Sequence, residues 1–302
     1  MDGLTLLERG WLSSNNVLLH GAPGEGATLI DTGHSVHAAQ TVALVAQALD
    51  GEPLARIVNT HLHSDHCGGN AALQAAHPGA AVWIAPGQAE AVTDWDLEVL
   101  SYRATGQRCD RFRHDAVLRP GKVLRVGERA WDVLAAPGHD PDSLMLFDAQ
   151  DGVLVSADAL WGNGFGVVFP ELDGHDAFDQ VAEVLDLIER LDARTVVPGH
   201  GPAFTDVGPA LQRARLRLSK FVANPARHAR HAAKVLLKYH VMEERSQALE
   251  DLLNWAEDTP LVVGTLGRAG LHGAPRASCQ TLLDELLATG VLRRQGQVVC
   301  DV

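Results

Sequence analysis

The sequence predicts a mixed α/β fold followed by a helical module. Three observations carry that reading. Nine short apolar runs, punctuated by glycine and proline, fall between residues 16 and 200. Two longer stretches, 37–50 and 176–192, space their apolar residues as a helix does. After Pro202 the strand-like runs give way to helical ones.

The strand-like runs are NVLLHG (16–21), ATLIDTG (27–33), RIVNTH (56–61), AVWIAP (81–86), KVLRVG (122–127), WDVLAAP (131–137), SLMLFDA (143–149), GVLVSADAL (152–160) and TVVPGH (195–200). Strands in runs, then a helix, then strands again describe packed α/β layers. Residues 88–119 read as a helical insertion, AEAVTDWDLEVLSYRATG followed by the basic RCDRFRHDAVLR, placed to wall a cleft or to loop out over the surface. Beyond Pro202, ALQRARLRLSKFVA leads to Asn224-Pro225, an N-cap with proline at the first helical position, and a second helix follows. The chain then reads as a helix stopped by Gly290 and a hairpin turning at Gln295-Gly296. Helices with a final hairpin resemble a small winged-helix-like module, so domains at 1–205 and 206–302 are expected.

The 302 residues, 46% hydrophobic and 21% charged, are those of an ordinary globular protein. The net charge of −13 is unevenly spread. Residues 210–302 hold 13 basic and 9 acidic side chains, the rest 12 basic and 29 acidic. The acidic front half argues against broad wrapping by nucleic acid. Cys67, Cys109, Cys279 and Cys300 form no CxxC pair, which suits a reducing compartment. There is no basic segment leading into a long apolar one at the start, and no apolar run long enough to span a bilayer. A cytoplasmic protein is expected.

Chemistry concentrates in NTHLHSDHCGGN, residues 59–70. His61 and His63, two apart on an extended strand end, leave on one side. Asp65 and His66 follow where the strand becomes a loop, and Gly68-Gly69 turn the chain into NAALQAA. Imidazole and carboxylate so crowded suit zinc, and also iron or manganese. Several other strands end on a metal-capable residue: Asp31, His139 and His200 after Pro-Gly, and Asp158. Cys67, beside His66, reads as a small buried filler, with a redox-sensitive thiol as the alternative.

HLHSDH, the two PGH turns and SAD, in that order, resemble the metallo-β-lactamase superfamily over roughly residues 15–205. The resemblance implies an αββα sandwich with metals at one edge between the sheets. It implies that His61, His63 and His139 hold one metal, that Asp65, His66 and His200 hold the second, and that Asp158 bridges them. Two zinc ions per chain are the implied cofactor, with iron or manganese as alternatives. The bridging aspartate and the form of the first motif look like the hydroxyacylglutathione hydrolase branch. The implied reaction is attack by a metal-bound hydroxide on a small thioester, ester or lactone, the metals lying about 3.5–4 Å apart. Asp65 would also orient the nucleophile, and Asp31 would fix the tautomer of a ligand histidine or simply make a turn.

Other readings stay open. The same fold with a winged-helix-like tail also resembles β-lactamase-like-2 endoribonucleases, though base-stacking aromatics are lacking. A mononuclear iron persulfide dioxygenase would use fewer of these positions, and a non-catalytic sensor would have lost some. ALWGNGFGVVFPELDG (159–174) places Trp161 and Phe165 either along a substrate pocket or in the core. The stretch 211–242 carries eight Lys and Arg and no acid. It is placed to bind an anionic substrate tail, or to dock on the acidic domain within the chain or across a homodimer.

Overall fold

The computed structural model describes residues 3–302. The chain forms two compact units. One comprises the chain up to Leu100 with Arg108–Glu171 and Asp176–Leu218. The other comprises Ser101–Gln107, Leu172–His175 and Ser219–Val302.

The first unit is built on two sheets. Six strands, β1 (Leu4–Leu7), β2 (Asn16–Leu19), β3 (Ala27–Ile30), β4 (Leu54–Val58), β5 (Ala81–Ile84) and β6 (Ala116–Val117), lie in sequence order. The first two pairings are antiparallel and the last three parallel. Five more, β7 (Val123–Val126), β8 (Arg129–Ala135), β9 (Leu144–Asp148), β10 (Val153–Ala157) and β11 (Thr195–Pro198), form the second sheet, parallel only between β10 and β11.

The side-chain alternation of a strand explains how the layers close. Val17, Leu19, Ile30 and Val58 of the first sheet share one buried cluster with Trp131, Val133, Leu146, Val155 and Val197 of the second. Their neighbours Leu18, Leu29, Ile57, Leu154 and Val196 point the other way and are equally closed to solvent. Both faces are therefore covered at β2–β4 and at β10–β11, as in an αββα sandwich, while the outward residues of β7 and most of those of β8 face solvent. The helix Ala38–Leu49 buries Thr41, Val45 and Leu49. Phe178–Leu191 buries Phe178, Val181, Val184, Leu185 and Ile188, one stripe at helical spacing. The fold class read from the sequence is the one observed.

Three local expectations are corrected. β4 stops at Val58, so His61 and His63 leave a loop and not a strand end. β10 likewise stops at Ala157, one residue before Asp158. Residues 88–119 are not broadly helical. Only Ala89–Asp94 and Tyr102–Thr105 are, and the basic segment is irregular. The backbone there finds other partners: Gln74 Nε2 donates to the Arg113 carbonyl at 2.8 Å, and Asp115 N donates to the Val82 carbonyl at 2.7 Å.

In the second unit, Pro225–Glu244 begins at Asn224, whose side chain accepts from Arg227 N at 3.3 Å. Helices Leu249–Asp258, Pro260–Arg268 and Pro275–Ala288 follow. Strands β12 (Ser246–Ala248), β13 (Leu292–Gln295) and β14 (Val298–Asp301) close the chain as a three-stranded antiparallel sheet. The expected hairpin is thus joined by a strand that the sequence pattern did not reveal. Among the described residues no helix is long and apolar enough to cross a membrane.

Candidate metal centre

Five strands deliver the site. Asp31 follows β3, residues 59–66 follow β4, His139 follows β8, Asp158 follows β10 and His200 follows β11. Two of these exits carry unusual backbone: Asp31 has φ 56° and Ala157, just before Asp158, has φ 46°. Left-handed backbone at a residue with a Cβ is strained and is held by its surroundings.

The donors fall into two groups. His61, His63 and His139 form one; Asp65, His66, Asp158 and His200 form the other, with the candidate ligand atoms in each group within 4.8 Å of one another. In the first, His63 Nδ1 lies 3.1 Å from His61 Nε2 and 2.8 Å from His139 Nε2. In the second, His200 Nε2 lies 3.0 Å from Asp65 Oδ2, and His66 Nε2 lies 3.5 Å from Asp158 Oδ1. Asp158 touches both groups, since its Oδ2 is 3.3 Å from His139 Nε2. All seven residues predicted as donors are therefore brought together.

Neighbours fix the rings. Asp31 Oδ1 accepts from Thr60 N at 2.8 Å, and its Oδ2 accepts from Thr60 Oγ1 and His66 Nδ1, each at 2.8 Å. His66 Nδ1 is thereby the protonated nitrogen and Nε2 is aimed into the cluster. That Nε2 is buried with no hydrogen-bond partner. His139 Nδ1 donates to the Val167 carbonyl at 2.6 Å, which likewise frees its Nε2. His200 is held differently. Its ring stacks on Trp11 at 5.5 Å and 3°, and meets the edge of Trp161 at 5.4 Å. Trp161 Nε1 donates to Asp158 Oδ1 at 3.1 Å.

The backbone is clamped as closely. Ser14 N donates to the Asp65 carbonyl at 2.9 Å and Asn15 N to that of Gly199 at 2.7 Å. Asn59 Nδ2 donates to the His66 carbonyl at 3.2 Å, and Asn70 Nδ2 to Asn59 Oδ1 at 2.7 Å. Two glycines let this packing happen. A Cβ on Gly199 would sit 2.2 Å from Asp158 Oδ1, and one on Gly166 would sit 2.4 Å from His139 Nδ1.

Burial and mutual charge set the protonation states. Burial drives His61 far below the ordinary imidazole value, with His66, His63 and His139 adding to the effect. Burial takes His63 and His139 down to about 4. These three rings are neutral near pH 7 and present lone pairs. For His66, burial pulls downward but Asp31, Asp158 and Asp65 outweigh it and raise the ring. For Asp65 and Asp158 burial pushes upward, and His66 with His200 reverses it, so both carboxylates stay ionised. Three neutral imidazoles crowded beside two carboxylates, with His66 Nε2 buried and unpaired, are a donor set that suits a divalent transition metal.

Phe165 is buried at 1% exposure, with the Arg217 guanidinium 5.4 Å from its ring centre. Trp161 is partly exposed beside the centre. Sequence reasoning missed Trp11, which is 58% exposed. It also missed the Ser14-Asn15 clamp and Val167. Trp11 and Val167 act through long-range proximity and carry no local pattern. The buried pair Asn15-Asn16, polar at a strand start, was the one available signal.

The comparisons agree with this architecture. The sequence profile of the metallo-beta-lactamase superfamily matches residues 9–200. The human acyl-coenzyme A thioesterase MBLAC2 is 30% identical over 156 residues, covering 49% of this chain and 56% of the relative. The hydroxyacylglutathione hydrolase of Methylococcus capsulatus is 29% identical over 199 residues, covering 64% of each. The chain thus spans little more than half of the first and under two thirds of the second. A metallo-beta-lactamase family protein from Thermus thermophilus matches in fold over 100% of this chain and 99% of its own, with a TM-score of 0.58 at 21% identity. The chain belongs to the metallo-beta-lactamase superfamily.

Proposed function

We propose that this protein is a dinuclear metal-dependent hydrolase of small thioesters. The position of Asp158 carries the reading: one carboxylate oxygen faces His66 and His200 at 3.5 and 3.8 Å, the other faces His139 at 3.3 Å. His61, His63 and His139 would hold one metal and Asp65, His66 and His200 the second, with Asp158 between them. Zinc is the proposed metal and iron the alternative, both compatible with nitrogen and carboxylate donors. Such a pair supplies Lewis acidity, polarising the scissile carbonyl and acidifying a water.

The chain's own groups do the rest. Ionised Asp65 is placed to accept a hydrogen bond from the attacking water and to orient it. Asp31 keeps His66 in one tautomer, and the Val167 carbonyl does the same for His139. Trp11 and Trp161, 5.4 Å apart, form an apolar wall at His200 that would exclude bulk water from the acyl group.

A small substrate is favoured because the basic stretch is largely occupied. Arg213 pairs with Asp206, and Arg215 with Asp186 and Glu189. Arg230 and Lys234 pair with Glu285, and Lys238 with Asp301. Cations already paired are poor phosphate contacts for RNA. Thioesters are favoured because, of the relatives above, one is named an acyl-coenzyme A thioesterase and the other a hydroxyacylglutathione hydrolase.

The test is a panel of acyl-coenzyme A, acylglutathione, lactone and RNA substrates, run before and after chelation and after reloading with zinc or iron. The proposal expects thioester turnover that chelation removes and metal restores. Turnover that survives complete metal removal, or cleavage of RNA alone, would overturn it.

A further inference from the structure

Two thiols meet beside the centre. Cys67 follows His66 directly and ends the short helix Ser64–Cys67. Cys109 lies 42 residues further on, yet the two sulfurs are 3.9 Å apart. Neither is in a disulfide; Cys67 is buried and Cys109 partly exposed. The Cys109 segment is anchored on both sides. Ser35 Oγ donates to the Arg108 carbonyl at 3.3 Å, and Arg113 exchanges hydrogen bonds with Gln74 at 2.8 and 3.2 Å.

We propose that Cys67 and Cys109 are a modification site that closes to a reversible disulfide when the protein meets a peroxide. Cys109 is the thiol that reagents reach. As the thiolate it attacks the peroxide: an S–O bond forms, the O–O bond breaks, and the leaving oxygen takes the thiol proton. Cys67 then attacks that sulfur, so that an S–S bond forms and the S–O bond breaks. Hydroxide departs with the Cys67 proton as water. Two thiols lose two electrons in all, and one peroxide is reduced to water and an alcohol, or to two waters. The proximity of Cys67 directs the first oxidation product to a disulfide and away from the irreversible sulfinic acid.

Closure has a structural consequence. A disulfide needs sulfurs about 2.05 Å apart, so the pair must approach by nearly 2 Å. The Cys67 thiol now donates to the His63 carbonyl at 3.3 Å, and oxidation removes that donor. The strain falls on the turn that carries Asp65 and His66. The expected loss of metal retention rests on the metal reading above; the disulfide itself does not.

The experiment is a non-reducing peptide map of the metal-loaded full chain after treatment with hydrogen peroxide, with remaining thiols alkylated. The expected result is a linked Cys67–Cys109 peptide, two hydrogens lighter than its reduced parts, that disappears with dithiothreitol. In Cys67→Ser the same treatment should carry Cys109 on to sulfinic acid. Wild-type Cys109 found as sulfinic acid beside an alkylated Cys67 would overturn the proposal. So would both thiols staying reduced under peroxide that oxidises an added glutathione control. Bound metal, read on the same sample, is expected to fall on oxidation and return on reduction. A chain that binds no metal at all would defeat the hydrolase reading and leave the peptide map to decide the disulfide.

Discussion

Asp158 Oδ2 lies 3.3 Å from His139 Nε2, while the other oxygen of the same carboxylate faces His66 and His200. One side chain thus joins two donor groups, each drawn from both sheets of the sandwich. Burial alone would push this carboxyl toward neutrality, and the facing histidines hold it ionised. Asp158→Ala is expected to abolish turnover and to lower metal content, while circular dichroism stays that of the folded chain. Near-normal turnover in the variant would contradict the bridging role.

Asp31 tests the orientation of His66. Its carboxylate accepts from His66 Nδ1 and twice from Thr60. Asp31→Asn keeps the shape and removes the charge. Loss of such a partner typically costs about 10- to 100-fold in metal affinity or activity. Competition with a chromophoric chelator reads the affinity, and an unchanged value would show that Asp31 merely shapes the turn.

Gly199→Ala separates space from chemistry. The added methyl would lie 2.2 Å from Asp158 Oδ1 and 3.1 Å from His66 Cε1. No ligand is removed, yet the carboxylate must move. We expect metal binding and turnover to collapse together. Wild-type values would mean that the Pro198-Gly199-His200 turn has slack which the structure does not show.

Trp161→Phe retains the aromatic wall and removes the donor to Asp158 Oδ1. A hydrogen bond to a charged group is worth about 1.5–3 kcal/mol. The expected loss is therefore roughly ten- to a hundredfold in kcat, with KM little changed. A change confined to KM would assign Trp161 to substrate contact instead.

The second unit offers a pH test remote from the centre. Arg230 and Lys234 pull Glu285 down from its ordinary 4.5 to about 2. A depressed carboxyl stabilises the fold above its unfolded value and loses that contribution as pH falls through the folded one. The stability gap between wild type and Glu285→Gln is therefore expected to be full above about pH 5 and to close toward pH 2. The side chain is a third exposed, so the gap should be small and salt-sensitive. Denaturant titrations at several pH values measure it, and a gap that widens on acidification would contradict the pairing.

Much of the centre was legible because its donors are local in sequence. His61, His63, Asp65 and His66 sit within six residues, and two more histidines are marked by Pro-Gly turns. Asp158 was marked by its place at the end of an apolar run, although β10 closes one residue earlier. What could not be read came from distance. Trp11 reaches His200 across the fold. The Val167 carbonyl has no side-chain signature at all, and Cys109 meets Cys67 through an irregular segment that looked helical. The pairing of the basic stretch was hidden for a related reason: its partners Asp186, Glu189, Glu285 and Asp301 lie far from it in sequence, and pairing of that kind leaves no trace in local charge. Glycine roles were half visible, since Gly199 stood out beside His200 while Gly166 owes its importance to a ring packed against it.

The most direct test of the account is metal stoichiometry. Chain loaded with excess zinc or iron, freed of unbound ions by gel filtration and read by elemental analysis, should carry about two ions. Asp158→Ala should carry fewer. One ion per chain after saturating loading, with Asp65, His66 and His200 replaceable at no cost in metal, would contradict the dinuclear centre.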